Sequence, residues 1–583
     1  MKEKNSNSFK NYLWIVLIVF SILVVKYRGF GIGDTNEWGV LAIHSSNPDI
    51  FKNDWFVNSV QDFNIRENFI LIFNFFNIFL KNYDLTSFII LFSISVFFSI
   101  GFYKIMFFLT KNNKLSLFSV IFCLGINHPV IGSHPFEMGN LLISSVMAFS
   151  IIIWGFYFFL KENYFLGFFI IGFSSFIHIS HSYLVYGILI FSVIFTKYDF
   201  RNKFLCKSEL MRKGLIILNS LSFFIGFFLS LIVLLKGYGS QVLSDKEMIY
   251  LFHFRAPWHY FAFFDWKAFE MVFYLFMILF FFLSWKYSKI NLKNKKIFLN
   301  LFFGTFIFYF LEIIFTRIFP LKIFSQIHFF RLSTFLDIII SIFILEFLFR
   351  LLMFLKNLFH KLFFLERNLN KKKEFYILIS LLIIIFLINL GALQLFNEGF
   401  RNFFSNRFPL LIVFLIFTNL FLFDIYWLKK ILMASLIIFL VIFLLLNPLI
   451  GRNSYDPSIN ELFDFVKENI PKDATLLVPP DSSIYRIGTQ RAIVVDHKSF
   501  PYGETEMLEW YSRILDVTGT EELKFIEGID YKKDILPKYY DLSLEDINYL
   551  KGKYGVSYAI FDSKKKLKLK KIFENENYII YEI

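Results

Sequence analysis

Between residues 12 and 450 the chain is a succession of apolar runs separated by short turns rich in lysine and asparagine. A helix rises about 1.5 Å per residue, so about 20 apolar residues cross the hydrocarbon of a bilayer. Runs of that order lie near 12–27, 86–109, 115–131, 139–160, 164–179, 182–196, 214–236, 269–285, 298–319, 331–355, 375–395, 408–426 and 431–450. They predict a polytopic α-helical membrane protein of about thirteen transmembrane helices. The stretch 67–82 (ENFILIFNFFNIFLKN) differs. Glu67, Asn74 and Lys81 recur every seventh residue, with Asn77 beside them. A polar stripe on an apolar helix predicts a segment lying in the interface plane rather than crossing. From Arg452 the pattern turns polar. It predicts helices near 458–469 and 504–516 and strands at 475–478, 492–495, 556–561 and 577–582. The chain therefore divides into a transmembrane domain, 1–451, whose first loop spans 28–85, and a small α/β domain, 452–583.

Composition agrees. The chain is 56% hydrophobic with 87 Phe among 583 residues, and its mean hydropathy of +0.57 excludes an ordinary soluble globule. The net charge of +14 comes from loops: Lys2/Lys4/Lys10, Lys111/Lys114, Lys161, Lys197–Lys213, Lys286–Lys296, Lys356–Lys373 and Lys429/Lys430. With 67–82 not crossing, all of these fall on one side. Excess Lys/Arg marks the cytoplasmic face, so the charge reports orientation, and no nucleic-acid partner is expected. The N-terminus is then cytoplasmic. Loops 28–85, 127–138, 237–268, 320–330 and 396–407, and the tail, face outward from the plasma (inner) membrane. The first apolar run has no small-residue cleavage site before Lys26 and reads as a retained span. Cys123 and Cys206 offer neither a disulfide framework nor metal-ligand spacing.

Chemistry has few places to go in such a chain, and ionisable groups at a membrane face are its first candidates. Just beyond the first span, GDTNEW places Asp34 and Glu37 three residues apart; the plain alternative is a pair of solvated loop carboxylates. His134 and Glu137 follow in NHPVIGSHPFEMGN, and His178 and His181 share a helical face in FIHISHSY. Arg255 lies in the aromatic loop 237–268, while Lys322, Gln326 and Arg331 precede the 331–355 span. Arg331 suits a phosphate, since a planar guanidinium binds phosphate oxygens in a fork; Lys322 reads as a snorkelling side chain. In the tail, Arg486, Arg491 and Lys498 sit in a dense polar run. One reading is a salt-bridged surface docking the tail on the membrane part, the other a polar lip binding an anionic or sugar acceptor.

With its loop-one carboxylates, interfacial helix, about a dozen spans and outward tail, the chain resembles the GT-C superfamily of integral membrane glycosyltransferases. Within it, the tail segments FVKENIPKDATLLVPPD, YRIGTQRAIVVDHKSFPY and EWYSR are similar to those of bacterial multi-pass members with a C-terminal extracytoplasmic α/β domain. The resemblance implies a polyprenyl-phosphate sugar donor arriving through membrane lipid and an extracytoplasmic glycan, lipid or protein acceptor. Asp34 is then the base, and Glu37 orients it or binds the acceptor. Arg331, with Arg255 as second choice, would hold the leaving phosphate. A divalent ion, Mg or Mn, on Asp34, Glu37 and His178 is an optional cofactor. The loop reads GDTNEW in place of a paired Asp-x-Asp. Two other classes stay open: a transporter or flippase of lipid-linked sugars, and a non-catalytic envelope-assembly subunit.

Overall fold

The computed structural model describes residues 2–125, 140–196, 209–236, 242–256, 268–364, 408–422, 426–449, 456–481, 483–520 and 534–583. His134, Glu137 and the 375–395 stretch lie outside these residues.

The first helices are α1 (Lys2–Lys26), α2 (Thr35–Ser46), α3 (Trp55–Ser59), α4 (Glu67–Leu80), α5 (Tyr83–Thr110) and α6 (Asn113–Gly125). Then come α7 (Ser144–Leu160), α8 (Tyr164–Ser174), α9 (Ile179–Phe195), α10 (Glu209–Ser220), α11 (Ser222–Lys236) and α12 (Asp245–Arg255). The bundle ends with α13 (Ala268–Tyr287), α14 (Leu292–Ile313), α15 (Lys322–Ile327), α16 (Leu332–Phe364), α17 (Phe408–Leu422) and α18 (Tyr426–Leu446). Among the described residues, five stretches are long and apolar enough to cross a membrane: Phe9–Lys26, Tyr83–Thr110, Lys213–Leu235, Leu292–Ile318 and Lys429–Leu446. Shorter apolar helices, among them α6 to α9, pack with them around one apolar core. Several apolar helices of this kind are consistent with a membrane protein.

The short helices matter for the site. α8 has 11 residues, or about 16 Å of helix. It lies against α11 so closely that a Cβ on Gly172 would stand 2.1 Å from the Phe223 carbonyl oxygen. The chain turns at 175–177 and re-enters as α9, leaving His178 and Ser180 at the junction.

α4 is a 14-residue helix, about 21 Å long. Its polar stripe faces protein: Asn74 Nδ2 donates to the Ala42 carbonyl at 3.2 Å, and Asn77 Oδ1 accepts from Thr86 Oγ1 at 3.0 Å. Leu71, Phe75, Phe76, Ile78 and Phe79 are exposed instead, an apolar face that no other part of the described chain covers.

The tail begins with α19 (Pro457–Asn469), β1 (Thr475–Leu477), α20 (Ile484–Thr489), β2 (Ala492–Ile493) and α21 (Glu504–Val517). It finishes with α22 (Leu536–Tyr539), α23 (Leu544–Tyr554), β3 (Val556–Asp562), β4 (Lys570–Glu574) and β5 (Tyr578–Glu582). The sheet order is β2-β1-β3-β5-β4, with β1 parallel to β2 and β3, and β5 antiparallel to β3 and β4. α19 and Tyr485 of α20 cover one face; α21 and α23 cover the other. The six elements expected from the pattern are present. β4, whose exposed Lys570 and Lys571 hide its period, was not expected, nor were the short α20, α22 and α23.

Loop one and the tail are joined by a buried charge network. Arg486 is 1% exposed, while Asp54 and Asp496 are fully buried. Arg486 Nε donates to Asp54 Oδ2 at 2.8 Å, and its Nη1 bonds Asp496 Oδ2 and Ser499 Oγ. Asp54 also caps α3 through Val57 N–H at 3.1 Å and accepts from Ile493 N–H at 3.1 Å. One guanidinium between two carboxylates in a dry interface is tolerated only because the oxygens find these further donors. Arg491 has another structural task. Its guanidinium donates to the Val466, Lys467 and Ile470 carbonyls at the end of α19, satisfying oxygens that a helix C-terminus leaves without partners. Arg486 follows the docking reading of this run, whereas Arg491 braces the tail's own first helix and reaches no residue outside the tail among those described.

Candidate functional site

Asp34 is delivered by a tight glycine turn. Gly29, Gly31 and Gly33 all have positive φ (95°, 85° and 60°), a region costly for residues bearing a Cβ. At Gly33 a Cβ would also meet Leu141 Cδ1 at 3.0 Å. α2 then starts at Thr35, and the Asp34 side chain makes no cap to it. It instead meets Lys498 of the tail, with Nζ 2.6 Å from Oδ1. Glu37, one turn on, is 5% exposed. Its Oε1 pairs with Arg66 Nη1 at 3.2 Å and accepts from the Tyr502 hydroxyl at 3.3 Å.

Behind α2, Trp38 packs edge-on against Phe30, Phe69 and Phe73, with ring centroids 4.9–5.6 Å apart. This aromatic block ties α2 to α4 and seats Arg66 at the start of α4. Burial works against the Arg66 charge, but Glu37, Tyr502 and Asp34 outweigh it and raise the pKa. Arg255, at the end of α12, shares the same carboxylates. Burial lowers its pKa and Glu37 and Asp34 oppose that. Its Nη2 donates to the Lys498 carbonyl.

α12 is held by its own latch. Glu504 Oε2 accepts from Val242 and Leu243 N–H, both at 2.8 Å, and Glu504 Oε1 pairs with Lys322 Nζ at 3.0 Å. Lys322 N–H donates to Asp245 at the start of α12. Lys322 is thus a tie between α12, α15 and the tail rather than a snorkelling side chain. Gln326, on the same short helix, is exposed and belongs to no part of the cluster described here.

Arg331 comes from a return turn. α14 ends in a π turn, Ile314–Ile318, and the chain re-enters through the 3-10 turn Phe329–Arg331, with His328 left-handed at φ 61°. Glu312, fully buried, holds that turn: Oε2 accepts from Phe330 N–H at 2.8 Å, and Oε1 lies 3.2 Å from His328 Nδ1. The Arg331 guanidinium then points at the α8–α9 junction, where Nη1 donates to Ser180 Oγ at 2.6 Å. Ser180 lies 3.2 Å from His178 Nδ1, and the His178 and His181 rings are 4.5 Å apart.

These groups form one assembly. Arg331 and Arg66 both act electrostatically on His178, and Arg66, Glu37 and Arg331 all act on Tyr502. Of the sequence candidates, Asp34, Glu37, His178, Arg255, Arg331 and Lys498 converge. Arg66, Tyr502 and Ser180 were not expected. Arg66 did carry a signal, since a cation at a helix N-terminus opposes the helix dipole and needs another partner. Tyr502 and Ser180 gave none.

The donor set does not suit a divalent ion. No group of three metal ligands occurs among the described residues, Asp34 is engaged by Lys498, Glu37 by Arg66, and His178 faces Arg331. Four cations surround two carboxylates, and that balance favours an anion.

The architecture, then, is that of a helical protein with several membrane-length apolar helices, whose small α/β tail completes a polar cluster with the first loop. Residues 457–517 match the family described as Domain of unknown function (DUF6798). No curated protein matches the chain. The matched stretch includes the docking residues Arg486 and Asp496 and the cluster residues Lys498 and Tyr502.

Proposed function

We propose that this protein is a GT-C-type glycosyltransferase of about thirteen spans in the plasma membrane. In this reading it moves a sugar from a polyprenyl phosphate to an extracytoplasmic acceptor. The supporting observation is the convergence of Asp34, Glu37, Arg66, Arg255, Arg331 and Lys498, from separate segments, on one cluster beside short apolar helices. Such an arrangement holds a phosphate next to a carboxylate, which is what transfer from a lipid phosphate requires.

In this mechanism the acceptor hydroxyl attacks the anomeric carbon. The bond from that carbon to the phosphate oxygen breaks, and the electron pair leaves with the phosphate. Asp34 takes the hydroxyl proton. Lys498 and Arg331 receive the phosphate, so donor binding draws Lys498 off Asp34 and frees it as a base. Glu37, fixed by Arg66 and Tyr502, orients the acceptor. The donor set gives no metal-dependent step.

The transporter reading relies on carboxylates within the spans. Glu312 is committed to the turn that presents Arg331, which supports a fixed site over a moving one.

The test is lipid-linked sugar profiling in cells carrying wild type, Asp34→Asn or no protein. The expected result is that one polyprenyl-phosphate sugar accumulates equally in the last two while the variant still inserts. Normal turnover with Asp34→Asn ends the enzyme reading.

A further inference from the structure

The far edge of the tail's sheet carries a dense run of positive charge. The turn from β3 into β4 reads KKKLKLKK, Lys564 to Lys571, six lysines with no acid among them. Exposure alternates along it. Lys564, Lys566, Lys568 and Lys570 are exposed, whereas Leu567 and Leu569 turn in against the core of the sheet. Part of this charge is answered. Glu574 pairs with both Lys566 and Lys571, at 2.7 and 2.5 Å, and Glu582 pairs with Lys570 at 2.8 Å. The Lys565 ammonium donates to the Tyr540 carbonyl at 2.7 Å. Among the described residues, no ion pair reaches Lys564 or Lys568.

The run borders a hollow. β4 pairs with β5 on one side and, among the described residues, with no strand on the other. Its register slips between Lys571 and Phe573, which leaves Ile572 without a cross-strand partner. Along this irregular edge lies an open hollow of about 620 Å³, lined by Lys571, Ile572, Phe573, Glu574 and Asn575. Phe573 packs on Phe465 of α19 with ring centroids 4.8 Å apart, and Asn575 Nδ2 donates to the Ser458 carbonyl at 2.7 Å. The wall of the hollow is therefore fixed. Its one carboxylate, Glu574, is the acid held by two lysines.

A lysine or two on a sheet edge ordinarily keeps other strands from pairing. Six lysines beside a hollow exceed that task. The bulge also argues against an added peptide strand, which needs a regular ladder. A flexible chain met by side-chain charge suits the edge better. The run holds no arginine, the planar fork that grips a carboxylate in two bonds; ammoniums instead meet phosphates as point charges. Ile572 and Phe573 offer apolar contact to carbon linkers between the charges. Loop one holds the tail at the opposite edge, where Ile493 N–H of β2 donates to Asp54 at 3.1 Å. That edge is four strand spacings from β4, about 19 Å, so a partner can reach β4 while the tail stays docked.

We propose that the β4 edge, from Lys564 to Asn575, binds a flexible polyanion whose charges are phosphodiesters joined by polyol carbon chains. Binding involves neither Asp34 nor a lipid donor, so the surface stands independently of the transfer reading. The experiment titrates full-length protein in phosphatidylcholine nanodiscs with a labelled synthetic poly(glycerol phosphate), read by fluorescence anisotropy at about 0.15 M salt. Wild type should bind, and polyglutamate or polygalacturonate of equal length should compete at least tenfold less well. The triple variant Lys564→Gln, Lys566→Gln, Lys568→Gln should bind at least tenfold more weakly, with the tail's melting temperature unchanged. Losing three charges should also cut the slope of log Kd against log salt by about two. Lys289→Gln with Lys296→Gln, exposed side chains of the bundle, should bind as wild type does, and so should Asp34→Asn. Four results would overturn the proposal: no binding at that salt, equal binding by the triple variant, equal competition by either carboxylate polymer, or binding only when phosphatidylglycerol vesicles replace the polymer.

Discussion

Arginine shows how far residue type falls short of role. Arg66, Arg255 and Arg331 end in the cluster, Arg486 in a dry interface and Arg491 on a helix end. Burial and neighbours decide each case. Arg486 is the one whose loss leaves two buried carboxylates with no countercharge. Removing one partner of such a network costs about 3–5 kcal/mol. Arg486→Ala should therefore lower the melting temperature of the tail strongly, as read by differential scanning fluorimetry on purified protein. Lysine in its place cannot serve both Asp54 and Asp496 with a planar fork, so Arg486→Lys should recover only part of the loss. Asp34→Asn, by contrast, should melt as wild type does, because its bond to Lys498 is partly exposed and such pairs contribute little.

α12 is the element whose position depends most visibly on charge. It carries Arg255 into the cluster and is tied down by Glu504 and Lys322. Burial raises the Glu504 pKa, but the Leu243 and Val242 amides and Lys322 outweigh it and leave the pKa depressed. A carboxylate depressed on folding contributes stability above its unfolded pKa, and that contribution is lost as pH falls through the folded value. Protection against hydrogen exchange across 245–255, taken relative to an unstructured chain at the same pH, should therefore be high at neutral pH and fall in acid below the ordinary glutamate range. Glu504→Gln should exchange faster at neutral pH and respond less to acid. The return turn before α16 depends on Glu312 in a similar way. Glu312→Ala leaves Phe330 N–H without its acceptor, and cells carrying it should accumulate the same lipid-linked sugar as those carrying Asp34→Asn. A normal sugar profile would show that the turn holds Arg331 without it.

For the molecule as a whole, the tail is part of the cluster. It supplies Lys498 and Tyr502, and Arg486 with Asp54 and Asp496 fixes it on loop one. Asp54→Ala removes the loop-one acceptor, so limited proteolysis should release a tail fragment far sooner than in wild type, with the membrane part intact. Equal rates would mean that the remaining contacts, Lys498–Asp34, Tyr502–Glu37 and those of α12, hold the tail without it.

Much of this was legible in one dimension. Apolar run length set the helices, the change of period at Arg452 set the tail and its six main elements, and the scarcity of charge on a greasy chain singled out Asp34, Glu37 and Arg331. These are local properties: lipid and helix geometry act on consecutive residues, and their demands are written consecutively. What the chain could not show was pairing between distant segments. The Lys498–Asp34 and Arg486–Asp54 contacts each join residues more than four hundred positions apart. No period or spacing encodes such a contact. Folding alone decided which arginine would bind a carboxylate network, which would cap a helix and which would join the loop-one cluster, because the energy of a charge depends on what surrounds it in space.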